Sequence, residues 1–306
     1  MSSLVTGTAT GGEVVAPTVV FCHDDKAAIS LRCACALEHS ANSGTTAVRF
    51  SPTFCGGDEK YISEDIERDD ATPVILDKGL VEVLTVVENA TNAPLFSVCI
   101  LNVDAPGQQS NALCCDVLEF LASKGMKKCI LACAISPLPS RWKGGPGAVF
   151  VSTQNCPGDV DIFASTDGLN LVDTSGFAFW NRGKGNAIRD PLLNLINQVL
   201  GVQGLQAQYF FVDATSSESS KDTPPTVSSK CRKKRSVNNA KAGRQSAQCI
   251  ATLLENLKIT DNSALSSYLC FNWELYDTLK LNRSRILKTA SQQSFNDFGM
   301  AGAMYL

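Results

Sequence analysis

Leu95-Phe-Ser-Val-Cys-Ile-Leu-Asn-Val103 and Lys128-Cys-Ile-Leu-Ala-Cys-Ala-Ile135 are two nearly unbroken apolar runs, and the stretch between them decides the fold. A run of that kind suits a strand buried on both faces of a sheet. Asp104-Ala-Pro-Gly107 turns the chain after the first run. Ser110 then offers a helix cap, and Leu113, Val117, Phe120 and Leu121 recur at the spacing of one helical face. Gly125 stands where that helix should stop. Strand, helix and strand joined by short links predict parallel pairing through a right-handed crossover.

Working outward, Pro17-Thr-Val-Val-Phe-Cys22 reads as a strand ending at His23-Asp24-Asp25, where an Asp could cap a helix running to about residue 38. A short strand is expected at 47–50 and an exposed acidic stretch at 58–70. Asp190-Pro191 gives a cap followed by proline at the first helical position. Leu192, Leu193, Ile196, Val199 and Leu200 supply that helix's apolar face, and Gly201 and Gly204 its end. A strand at 208–212 follows. Helical periodicity resumes through Ala247, Ile250, Leu253, Leu254 and Leu257, and a further helix is expected over 272–288. The reading is a single α/β domain over residues 17–288, with a mostly parallel central sheet flanked by helices. Around it lie a flexible start at 1–16, a disordered basic loop at 214–239 and a flexible C-terminal tail at 289–306.

The chain has 306 residues, 44 % hydrophobic and 19 % charged, with net charge −3. That balance creates no global positive field for nucleic acid or anionic lipid. No run approaches the length of a membrane helix, and the first thirty residues lack a secretory signal. The thirteen cysteines are therefore expected to stay reduced and pack as small apolar groups, in a protein of the cytoplasm. Asn89-Ala-Thr91 and Asn282-Arg-Ser284 are chance matches to the glycosylation pattern on that reading.

Chemistry is hard to find in the sequence. There are two histidines, His23 and His39. Cys22 adjoins His23, but neighbours on a strand point to opposite faces. Cys33 with Cys35, and Cys114 with Cys115, diverge around their helices, so no metal site is expected. Neither a phosphate-binding P-loop nor a dinucleotide fingerprint occurs, and no cofactor is implied. Asp104 and Asp213 close strands, where open α/β sheets place ligands. An α/β enzyme with a carboxylate-lined site at Asp104 and Asp213 is the alternative reading. Lys230, Arg232, Lys233, Lys234 and Arg235 form a basic cluster. It serves as a candidate nuclear signal, with no interleaved aromatics for stacking on nucleic acid.

The sequence closes on Ala303-Met304-Tyr305-Leu306, a hydrophobic residue, tyrosine, any residue and a carboxylate. That pattern suits a pocket gripping an aromatic ring and a terminal charge. Together with Val74-Ile-Leu-Asp-Lys-Gly-Leu80, the unit at 95–135, residues 191–212 and the Ala-rich helix at 240–259, this ending resembles the proteasome assembly chaperone 1 family. The resemblance covers under half of the chain. It implies a non-enzymatic α/β protein that forms a heterodimer with a second proteasome assembly chaperone on the α-ring. Tyr305 would then fill a pocket between proteasome α subunits, Met304 would pack beside it, and Leu306 would supply the carboxylate. The bound pair would promote ring assembly and block premature activator binding.

Overall fold

The computed structural model describes residues 13–25, 28–40, 44–54, 73–103, 108–135, 142, 144, 147–156, 163, 167–174, 188, 190–214, 230–260 and 263–281. In chain order the elements are β1 (Thr18–His23), α1 (Ile29–Cys35), β2 (Leu37–His39), β3 (Thr45–Phe50), β4 (Val81–Glu88), β5 (Pro94–Leu101), α2 (Gln108–Ser123), β6 (Lys128–Ile135), β7 (Ala148–Gln154) and β8 (Asn170–Asp173). They continue with α3 (Pro191–Val202), β9 (Gln206–Asp213), α4 (Lys230–Asn256), β10 (Lys258–Thr260), β11 (Ser263–Ala264), β12 (Leu269–Phe271) and α5 (Trp273–Thr278).

Eight strands form the central sheet in the order β3-β4-β5-β1-β6-β9-β7-β8. Its middle, β5-β1-β6-β9, is parallel throughout. Antiparallel pairings add β4 and β3 on one side and β7 on the other, with β8 parallel to β7. The architecture is α/β with a mostly parallel sheet between helices. One detail of the expected β5-α2-β6 unit is corrected: its strands are parallel but do not touch, because β1 lies between them. Val19 is opposite Ser97 on one side and Cys129 on the other. Val19 to His23 are all inaccessible, as suits a strand covered on both faces in the interior of the sheet.

Side-chain alternation sorts the core into two layers. Val19 and Phe21 of β1, with Cys129, Leu131 and Cys133 of β6, face α2 and α3, whose Leu113, Val117, Leu121, Leu192, Leu193, Ile196 and Leu200 cover them. Val20 and Cys22, with Ile130, Ala132 and Ala134, face α1 and α4, packing with Ile29, Leu31, Ala247, Ile250, Leu253, Leu254 and Leu257. Each such fully buried aliphatic side chain contributes roughly 1.5–3 kcal/mol from removal of its surface from water.

Some helix boundaries follow the predicted local signals, although α2 begins at Gln108 and so contains Ser110 rather than being capped by it. Asp190 Oδ1 accepts the Leu193 N–H at 2.9 Å with Pro191 in the first turn. Past α2, Gly125 adopts φ +106°, and past α3, Gly204 adopts φ +66°; both lie in the left-handed region that glycine enters without strain. Gly201, by contrast, sits inside α3 rather than ending it.

Three expectations fail where tertiary contacts override propensity. The first helix stops at Cys35, because Leu37 to His39 are taken as a strand by Phe271 to Leu269. The last helix ends at Thr278, and the chain then pairs Leu281 with Ile75; residues 282–288 lie outside the described residues. The basic loop is also shorter than read. Residues 230–239 belong to α4, where a Lys- and Arg-rich segment extends a helix already anchored by the packed stretch from Ser246 on. Residues 215–229 lie outside the described residues, as do the start at 1–12, the acidic stretch at 58–70 and the tail at 289–306. No helix among the described residues is long and apolar enough to cross a membrane.

Candidate functional site

Parallel α/β sheets present ligand sites at the carboxyl ends of their strands. At that end of β1 the structure gathers polar groups that the sequence scatters. His23 closes β1 and continues the alternation of Val19 and Phe21, so its ring enters the α2/α3 layer, fully buried. Its Nε2 lies 3.4 Å from Asp190 Oδ2 and its Nδ1 3.8 Å from Cys133 Sγ. Cys22, one residue back, faces the opposite layer as the alternation requires.

Asp25 is the buried acid here. Both of its oxygens lie near the Ser30 N–H, at 3.0 and 3.1 Å, and Oδ2 also accepts the Ala134 N–H at 2.6 Å. It thereby ties the start of α1 to the end of β6. Asn102, just past β5, is equally buried and bonded to backbone groups of residues 74–79.

Electrostatics at this end follow from burial. Loss of water pushes the Asp25 carboxyl up to about 8, although His23 and the two backbone N–H donors pull the other way. Burial also raises the Cys133 thiol, which His23 only partly offsets. For His23 burial opposes the charged ring, but the Cys133 sulfur and the Asp190 carboxylate outweigh it and hold the ring well above 6.5.

Cysteine, histidine and aspartate in a row are the residue types of a nucleophilic triad. This trio lacks the working features of one. The sulfur is inaccessible, burial raises its thiol, and both links are longer than the roughly 2.6–3.2 Å of an active nucleophile and base. What it can do is hold a proton between β1, β6 and α3. Among the described residues no group of three or more His, Cys, Asp or Glu side chains could hold a metal ion.

Residues singled out from the sequence fare differently. Asp213 ends β9 opposite Ile135, and its carbonyl accepts the Ser246 hydroxyl at 2.6 Å. Its suggested companion Asp104 lies outside the described residues, and so do Met304, Tyr305 and Leu306. Lys230, Arg232, Lys233, Lys234 and Arg235 occupy the first turns of α4. Cys33 and Cys35 are buried in the core, as is Cys114, while its neighbour Cys115 is half-buried. The His23–Asp190 contact spans 167 residues and the His23–Cys133 contact 110. No local motif announces either; only the strand order would have brought them together.

No family model matches the chain, and no curated protein matches it. Solved structures with a similar course include PbaB of Pyrococcus furiosus, an archaeal proteasome activator, at 12 % identity and TM-score 0.39, covering 91 % of this chain and 95 % of that one. A proteasome-assembly chaperone homologue from Mycobacterium tuberculosis aligns at 15 % identity and TM-score 0.34, covering 82 % and 99 %. A purine nucleoside phosphorylase from Toxoplasma gondii aligns at 12 % identity and TM-score 0.34, covering 78 % and 92 %. A proteasome activator, a proteasome-assembly chaperone homologue and an enzyme thus stand side by side among these neighbours. At such identities, and with TM-scores below 0.5, the likenesses assign the chain to no family and lend it no activity.

Proposed function

We propose that this protein is a non-enzymatic proteasome assembly chaperone that works by binding other proteins. The observation that carries the reading is the burial of the described polar groups at the carboxyl end of the parallel strands. His23, Asp25, Asn102 and Cys133 are all buried there and bonded within the chain. Side chains committed to holding their own fold cannot also meet a substrate, so function falls to the protein's outer surface and its tail. The sequence resemblance then supplies the kind of partner.

On this reading the chain pairs with a second, related chaperone and binds the α-ring of the core particle. Met304, Tyr305 and Leu306 enter a pocket between proteasome α subunits, promoting ring assembly and excluding activators until it is complete. No cofactor, nucleic acid or membrane takes part. The protein acts in the cytoplasm, and in the nucleus when the basic start of α4 serves as an import signal.

The test is a pull-down from cell extract with the full-length protein and with a form lacking residues 304–306. Support would be recovery of α subunits and a second chaperone by the full-length form, with α subunits depleted in the truncation. Absence of α subunits from both would overturn the reading.

A further inference from the structure

Asp190 divides its two oxygens between two tasks. Oδ1 caps α3 through the Leu193 N–H at 2.9 Å, while Oδ2 meets His23 Nε2 at 3.4 Å. One carboxyl group therefore joins the first turn of α3 to the last residue of β1. We propose that His23 and Asp190 form a proton-operated clasp, closed when the imidazole is protonated, that fastens the start of α3 to the carboxyl end of β1.

The hydrogen bonds survive in both states of the ring. Protonated, His23 donates from Nε2 to Asp190 and from Nδ1 toward the Cys133 sulfur. Neutral, it keeps the Nε2 proton, and Nδ1 accepts from the Cys133 S–H. Only charge changes, so the clasp turns from an ion pair into an ordinary hydrogen bond, about half as strong. Among the described residues, the titratable groups acting on the ring are Cys133 from β6, Asp190 from the start of α3, and Asp25 from the chain after β1. Asp24 acts on Asp25 in turn. A ring held above 6.5 in the folded protein contributes stability that is fully present below 6.5 and is lost as pH rises through the folded value. Alkaline conditions therefore loosen the clasp. The remainder of α3 stays seated through Ile196 and Leu200, which confines the loosening to the first turn. The clasp belongs to the fold and stands whether or not the chain binds an α-ring.

The experiment follows the His23 imidazole by NMR in the full-length protein and measures amide exchange at Leu193, corrected for the intrinsic effect of pH. The expected result is titration above 6.5, with Leu193 protection falling about fivefold or more as the ring loses its proton. Asp190→Ser separates the two tasks, because serine also caps helices but carries no charge. In that variant the His23 titration should move down and the pH dependence of Leu193 protection should vanish. His23→Gln, uncharged at every pH, should hold protection at the alkaline level throughout. The clasp is overturned if His23 titrates at or below 6.5. It is equally overturned if Leu193 protection ignores the titration, or if Asp190→Ser keeps the wild-type pH dependence.

Discussion

The side-chain amide of Asn102 grips Ile75 by both of its peptide groups. Asn102 Oδ1 accepts the Ile75 N–H at 2.9 Å and Nδ2 donates to the Ile75 carbonyl at 3.2 Å. The same amide accepts from the Val74 N–H and donates to the carbonyls of Lys78 and Gly79. Ile75 in turn bridges to Leu281, so one buried amide positions both the approach to β4 and the strap that follows α5. Asn102→Ala should cost about 2–4 kcal/mol, because it strands several buried backbone groups at once. A urea titration would show this as a lowered midpoint at unchanged slope. A cost under about 0.5 kcal/mol, the size of an ordinary surface change, would mean that the amide holds nothing.

Asp25 makes stability depend on pH. Its carboxyl is pushed from 3.8 to about 8 by burial, so the folded protein holds a proton that the unfolded chain releases. A raised folded value contributes stability present below 3.8 and lost as pH climbs toward 8. Unfolding midpoints in urea should therefore fall between pH 5 and pH 8.5. Asp25→Asn, which keeps an acceptor for the Ser30 and Ala134 N–H groups without a titrating proton, should flatten that fall. A variant that tracked the wild type would show that Asp25 is ionised in the fold.

Thiol accessibility tests the buried strand ends. Cys270 is exposed, while Cys22, Cys99, Cys129 and Cys133 are fully covered. Brief alkylation of the native protein, followed by peptide mass spectrometry, should label Cys270. Cys133 should react at least ~100-fold more slowly, since it becomes reachable only through opening of the core. Comparable labelling of Cys133 would show an open site beside His23 and revive the nucleophilic reading of that trio.

For the proposed tail anchor, Tyr305→Ala should weaken binding to purified α-rings by about 2 kcal/mol, or roughly 30-fold, as loss of an interface hot spot does. Tyr305→Phe should retain most of the affinity if the pocket reads the ring rather than the hydroxyl. Equal binding by wild type and Tyr305→Ala would remove the tyrosine from the interface.

What the sequence made legible was local. The apolar runs at 95–103 and 128–135, the helix between them, and the Asp190-Pro191 cap each declare themselves within a few residues, and each occurs in the structure. The position of β1 between β5 and β6 is a pairing between distant segments, and apolar runs alone do not reveal their order. β4, β7 and β8 were overlooked for a different reason. Their mixed runs, such as Val81-Glu-Val-Leu-Thr-Val-Val-Glu88, alternate only in part. The buried site shows the same boundary: His23 was visible as a strand end and Asp190 as a cap, but their meeting depends on which strand lies beneath α3. Of the residues singled out from the sequence, the described ones include the basic start of α4, read as a candidate nuclear signal, and none of the partner-binding tail.

Placing β1 fourth among eight strands also has a consequence for biosynthesis. Residues 18–23 leave the ribosome well before their hydrogen-bonding partners at 94–101 and 128–135. At ordinary translation rates about 5–20 s separate the birth of this strand from the arrival of its second neighbour. Both edges of this apolar strand are unpaired until β5 emerges, and one remains so until β6 does, a form prone to aggregate. A protein proposed to guide the assembly of others thus begins life as a client. Any fusion or truncation that disturbs residues 18–23 will strike the middle of its sheet rather than the rim.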